Sequence, residues 1–441
     1  MSKASLFAVC VMAVSVSVAL ADTKDSAPDT TGDQPTTAAV KPGNSGLESH
    51  SLPGELLEDD KIEEESAYRK LGPTAVSDVK FLMDTLRLGK LFDKTGIRTF
   101  GWIESGYTGT TSGSGMLNVQ PRQNRYGDAV LLNQIGFVLQ KPLRQDRLDF
   151  GFNVRFFMGA DAALGQPKGG IDNPPGNNRF SYDFRDLYVS AHLPIITEGG
   201  MDVKVGRMNT IIGYNGFLAP YRPFYSSDYQ FFYSQDGAFT GALTTLHVSK
   251  QLDVANGITF GANTFFSKRS SNSICYIGQV NYWLTEENKT RLTGSLHLGE
   301  NAIFAAPGLA GDFDTVVELR VQHNWSDKVT QVVQSNMGWD ANTPRGTGQW
   351  YGLYTIGIWH WIETLDLQAR ADWFADIKGT RTGIDTQYGA LTLGVNWHPV
   401  KYLELRPEIR GDFAGDSAYG GDNQARYHSQ LTGVVSALLK F

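Results

Sequence analysis

Residues 391–413 read LTLGVNWHPVKYLELRPEIRGDF. Leu391, Leu393, Val395 and Trp397 alternate with Thr392, Gly394 and Asn396. Past Pro399-Val400-Lys401, Leu403, Leu405, Pro407 and Ile409 alternate with Glu404, Arg406, Glu408, Arg410 and Asp412. Successive side chains of an extended strand point to opposite sides, so the second half of this stretch is greasy on one face and ionic on the other. A dry core would penalise every unpaired ion of such a ladder by several kcal/mol. A wall between hydrocarbon and water would not.

The same period of two runs through Gly96–Phe441. Leu148, Phe150, Phe152, Val154 and Phe156 alternate with Asp149, Gly151, Asn153 and Arg155. Val317, Leu319 and Val321 alternate with Glu318, Arg320 and Gln322. Leu365, Leu367, Ala369, Ala371 and Trp373 alternate with Asp366, Gln368, Arg370, Asp372 and Phe374. Such segments number about sixteen. They fall near 97–108, 131–141, 147–158, 183–193, 200–207, 238–249, 256–266, 273–284, 289–299, 314–325, 328–339, 349–361, 364–375, 387–398, 402–412 and 428–441. The expected fold is all-β, a transmembrane antiparallel up-and-down barrel, closed because no open sheet edge survives in hydrocarbon. Its polar face would line a lumen with Arg155, Glu318, Arg320, Asp366, Arg370, Asp372 and the charged residues of 404–412 named above. The mixed signs argue against strong anion or cation selectivity.

Connections alternate in length, which is the outer-membrane barrel arrangement. Long polar stretches follow the odd strands (Gly109–Val130, Gly159–Tyr182, Met208–Gly237, Asn301–Phe313), and tight turns follow the even ones (Thr285–Asn288, Ser326–Lys328, Pro399–Lys401). Trp283, Trp325, Trp361 and Trp397 each end a descending strand before a short turn, and Phe441 ends the last; indoles favour the headgroup layer, so these predict the lower membrane girdle. Trp339, Trp350 and Trp373 would suit the upper one. Tryptophans about forty residues apart also suggest a β-propeller, which gives no reason for a Trp before every second turn. The last strand sets Leu431, Gly433, Val435, Ala437, Leu439 and Phe441 on one face, a pattern that resembles the terminal strand read by the barrel-insertion machinery.

Within 208–237, Tyr214, Phe217, Tyr221, Arg222, Phe224, Tyr225, Tyr229, Phe231 and Phe232 carry more aromatic weight than a solvated loop needs. This segment is the expected constriction, with Tyr214, Tyr221, Arg222, Tyr225 and Tyr229 at its centre; packing at a subunit contact or extending the flanking strands are the alternatives.

At the other end, Lys3, the apolar run Leu6–Leu20 and Ala19-Leu20-Ala21 have the form of a signal peptide, residues 1–21. Residues 22–76 are acidic and poor in aromatics, too polar to offset chain entropy, and are expected to be disordered. In 77–95, Ser77 could cap a short amphipathic helix on which Val79, Leu82, Met83 and Leu86 recur at helical spacing. Removing the leader takes away Cys10 and leaves Cys275 without a partner, so no disulfide staples the fold. A net charge of −7 and the lack of a basic stripe argue against nucleic acid.

No Walker loop, His-Glu-x-x-His, Cys-x-x-Cys or Gly-x-Ser-x-Gly occurs, so neither a cofactor, a metal nor a catalytic group is expected. His247, His297 and His398 fall on wall positions and read as satisfied polar residues. Gly415–Asn423, with Asp416 and Asp422, reads as a turn before it reads as a calcium loop. Asn288-Lys289-Thr290 matches a glycosylation acceptor but falls in a tight turn.

Four stretches carry a family resemblance: VKVGRMNTIIGYNGFLAPYRPFYSSDYQFFYSQDGAFTGAL from Val203, GWIESGYTG from Gly101, QWYGLYTIGIWHWI from Gln349, and the stretch from Leu391 quoted first. Together they resemble the OmpL-like β-barrel porins over 96–441. The resemblance implies a bacterial outer-membrane channel for small hydrophilic solutes and ions. It carries no catalytic motif. A plugged structural barrel and an outer-membrane lipid hydrolase are the rivals, and a homo-oligomer is compatible with either the channel or the plug.

Overall fold

The structure is a computed structural model that describes residues 95–116, 124–165, 180–235, 237–261, 265, 274–284, 289–299, 308–421 and 424–441. The expected leader, acidic segment and short helix lie outside these residues, as do Asn288 and Asp422.

Sixteen strands form the wall: β1 (Arg98–Thr110), β2 (Ala129–Lys141), β3 (Asp149–Gly159), β4 (Ser181–Leu193), β5 (Met201–Met208), β6 (Phe239–Ser249), β7 (Leu252–Thr259), β8 (Cys275–Trp283), β9 (Thr290–Gly299), β10 (Phe313–Ser326), β11 (Val329–Thr343), β12 (Gly346–Ile362), β13 (Leu365–Ile377), β14 (Thr386–Val400), β15 (Leu403–Ala414) and β16 (Ser429–Lys440). Each pairs antiparallel with its sequence neighbours, and β1 pairs with β16 from Trp102↔Lys440 to Thr110↔Thr432, closing the barrel. At that seam Phe441 N donates to Gly101 O (2.9 Å), and the Phe441 ring lies where a Cβ on Gly101 would stand. The closed ring excludes the propeller. A two-residue pair, Gly115–Met116 with Tyr126–Gly127, forms within the connection from β1 to β2.

Period-two patterning puts the apolar face outside. Val130 is 72% exposed, Phe150 65% and Leu393 60%, whereas Glu318, Arg410 and Asp412 are 0% exposed. A water-soluble fold partitions these the other way round.

Three local departures from the sequence reading share one cause: side-chain chemistry does not state which face a residue takes. The strand expected at 256–266 is β7, 252–259, because Lys250 and Gln251 suffice for the turn and Asp253 faces inward instead of sitting in it. Trp283 is buried on the inward face of β8, opposite Arg291 on β9, and the outward positions are Tyr282 and Leu284. Trp350 is likewise inward and wholly buried, over Gly338, where no side chain could fit. Trp325, Trp361 and Trp397 are about half exposed, at the short-turn end of β10, β12 and β14.

Candidate functional site

The connection from β5 to β6, residues 209–238, turns into the barrel. Pro220 starts a 3₁₀ turn at Ala219–Tyr221, and Asp228 caps a short helix, α1 (Tyr229–Tyr233), by accepting from Phe231 N at 2.8 Å. Its aromatic residues then meet inward aromatics of the wall. Phe217 packs on Phe157 (5.6 Å between centroids) and Tyr221 on Phe100 (6.4 Å); Tyr229 packs on Tyr388 (5.3 Å) and stacks on Phe374 (6.4 Å). Two wall glycines make the approach possible: a Cβ on Gly106 would stand 2.6 Å from the Tyr225 ring, and one on Gly352 2.4 Å from Gln230.

Burying an irregular segment also buries its backbone, and every N–H and C=O so enclosed needs a partner. The wall charges supply many of them. Arg320 donates to Gly213 O (2.6 Å), and Arg406 to Ala219 O (3.1 Å) and Arg222 O (3.2 Å). Arg370 donates to Ser226 O (2.7 Å) and Ser227 O (3.2 Å), and Arg410 to Ser227 O (2.6 Å). In return Glu318 accepts from Gly213 N (3.0 Å), and Glu408 from Tyr225 N (3.0 Å) and Ser226 N (3.2 Å). Neutral amides add to this: Gln334 accepts from Tyr214 N (2.9 Å), and Tyr225 OH donates to Asn133 (2.9 Å).

The remaining charges pair with one another. Glu104 on β1 accepts from both Arg222 and Arg406, and Arg222 also reaches Asp161 (3.3 Å). Burial pushes the Asp161 carboxyl up to about 6, Arg222 opposing and Glu104 adding to the shift. Asp372 pairs with Arg370 (3.0 Å), Asp412 with Arg410 (2.8 Å), and the Tyr229 hydroxyl donates to Asp412 (2.7 Å). Arg155 pairs with Asp186 (3.0 Å) and stands over the Tyr221 ring (5.1 Å). Asp366 and Glu404 stand apart from the segment, at the short-turn mouth, with histidines and Lys440 as neighbours.

All the sequence-predicted lining residues are thus buried and inward, and most grip the inserted segment instead of facing water freely. Sequence reading missed Glu104, Asp161 and Gln334, which hold the same segment, and Arg381. Arg381 pairs with Asp314 (2.6 Å) and Asp340 (3.2 Å) under the Trp350 ring, whose Nε1 donates to Ser234 (2.9 Å) at the end of α1. Among the described residues no group of three or more His, Cys, Asp or Glu is arranged to hold a metal ion.

The fold has solved counterparts. The outer membrane channel DcaP of Acinetobacter baumannii superposes with a TM-score of 0.51 at 9% identity, over 79% of this chain and 98% of that one. OprB of Pseudomonas putida gives 0.53 at 12%, over 80% and 96%, and a trimer form of Vibrio cholerae OmpT gives 0.51 at 8%, over 78% and 99%. No curated protein matches by sequence. The family described as "Putative beta-barrel porin-2, OmpL-like" matches residues 96–441, the whole of the closed wall. With its lipid-facing exterior, charged interior and inserted segment, the chain belongs to these OmpL-like porins of the bacterial outer membrane.

Proposed function

We propose that this porin is a narrow diffusion channel in which residues 209–238 set the aperture and the wall charges fix their position. The supporting observation is the double grip on that segment's backbone, arginines on its carbonyls and glutamates on its N–H groups. Hydrogen bonds to charged groups are each worth about 1.5–3 kcal/mol. A segment held by several of them keeps one shape while solute passes. Small hydrophilic solutes and ions would exchange their hydration shell for water and polar wall groups, and no bond is made or broken on the way. The lower girdle is then Trp325, Trp361 and Trp397, with Phe441 tying the seam and offering the terminal strand to the insertion machinery.

Planar-bilayer conductance of the purified protein, with uncharged solutes of graded size, tests this reading. A small conductance with a sharp size limit supports it. A sealed barrel with no current would favour the plugged, structural alternative. The likeness to a trimeric OmpT supports a homo-oligomer, which the mass of the detergent-solubilised complex would test.

A further inference from the structure

At the short-turn mouth the wall repeats a device twice. His192 on β4 donates Nδ1 to Asp202 on β5 (2.6 Å). The other carboxylate oxygen of Asp202 meets Nε2 of His247 on β6 (3.3 Å), whose Nδ1 meets Asp253 on β7 (2.9 Å). On β12, His360 donates Nδ1 to Asp366 on β13 (2.8 Å). The other oxygen of Asp366 meets Nε2 of His398 on β14 (3.5 Å), whose Nδ1 faces Glu404 on β15 (3.8 Å). The order histidine, carboxylate, histidine, carboxylate over four successive strands is the same in both. Strands β4–β7 and β12–β15 lie eight places apart in a ring of sixteen, so the two chains occupy opposite walls of the mouth.

His247 has both ring nitrogens within hydrogen-bond reach of carboxylate oxygens, whereas His398 stands farther from its two carboxylates. A neutral imidazole carries one N–H and one lone pair, so it could serve only one of them, and the lone pair would face an anion; the imidazolium serves both. A neutral His247 could instead accept from Gln145 Nε2 at 3.5 Å, which would set that same lone pair against Asp202 at 3.3 Å. We propose that His247 is held as an imidazolium ion at neutral pH, and that loss of its proton turns the mouth anionic and cation-selective. The inference rests on the channel reading above.

The two chains differ in their surroundings. Glu404 also has Lys440 (2.9 Å) and Arg406 (3.7 Å) against it. The carboxylates around His247 have His192 and, two residues along the same strand face, Lys204, which lies over the Tyr188 ring (5.2 Å).

The test is the reversal potential across a salt gradient at pH values from about 6 to 9, below the ordinary range of lysine and tyrosine near 10. Wild type should gain cation preference, several-fold in the permeability ratio, as the pH rises. H247Q should show much of that preference already at pH 7 and change little more as the pH rises. Nitrogen-15 spectra of histidine-labelled protein in detergent read the rings directly, even for a variant that inserts poorly. One ring signal that stays protonated on both nitrogens at pH 7.5 and disappears in H247Q is expected. The lack of any doubly protonated ring at that pH, or an H247Q variant that keeps the wild-type pH profile, would overturn the proposal. Absence of any current in wild type would remove the channel reading and the selectivity role together, while the ring signals would still report whether the protons are there.

Discussion

The waist of the barrel and its short-turn mouth are both crowded with buried charge, and they use it differently. At the waist the cations are arginines, and their partners are largely backbone carbonyls of 209–238. Guanidinium stays charged at any pH a cell meets and presents a fork of donors, so it suits a permanent clamp on irregular backbone. At the mouth a histidine, His247, stands between two carboxylates, and histidine is the side chain that can gain or lose a proton near physiological pH. One region fixes a shape; the other can change its charge without changing its shape.

Cutting the clamp should have the largest effect. R370A, R406A and R410A together free the carbonyls of Ala219, Arg222, Ser226 and Ser227. Leaving buried acceptors unpaired costs about 1–3 kcal/mol each, enough to release the segment. Single-channel conductance should rise several-fold with the size limit, whereas D366N with E404Q at the mouth should shift selectivity and leave conductance almost unchanged. Equal effects of the two sets would erase the distinction.

A smaller change displaces the segment without touching a charge. Gly106→Leu puts a branched side chain where the Tyr225 ring lies, and overpacking of this kind costs about 1–3 kcal/mol. A measurable but less-than-twofold rise in conductance should follow, read in the same bilayers, together with a lower melting temperature.

Moving the chemistry of one region into the other sharpens the comparison. R410H sets a titratable ring beside Asp412 and the Ser227 carbonyl. Its conductance should match wild type in acid and climb as the pH passes about 7, the range where histidine loses its proton. Wild-type conductance, as distinct from its selectivity, should stay level over that span.

The smallest effect belongs to Asp161. Its carboxyl is raised from 3.8 to about 6, so its contribution to stability is present in acid and lost as the pH rises through about 6. D161N should flatten the fall in melting temperature between those values, a change on the order of 1 kcal/mol. A slope equal to wild type would mean that Arg222 already holds Asp161 ionised throughout.

Much of the wall is legible in the sequence, because a barrel in lipid must alternate and 403–412 alternates without a break. The edges are harder. Trp283 and Trp350 look like girdle residues by type and by place in the strand, but register turns them inward, and register is a property of the neighbouring strands. The inserted segment announces itself only by aromatic weight. What holds it is invisible in its own sequence, since Arg370, Arg410 and Glu408 sit more than a hundred residues away. Glu104 is hidden for another reason: β1 carries Phe100 and Trp102 on the same inward face, so no clean polar stripe marks it.

The seam between β1 and β16 has a consequence in time. The first strand to be synthesised finds its second neighbour only when the last one arrives, so every shorter nascent chain carries two open edges that could pair with a stranger. Until then the unsealed polypeptide depends on something else to shield those edges, and a chaperone that grips extended strands is the kind of escort such a topology demands.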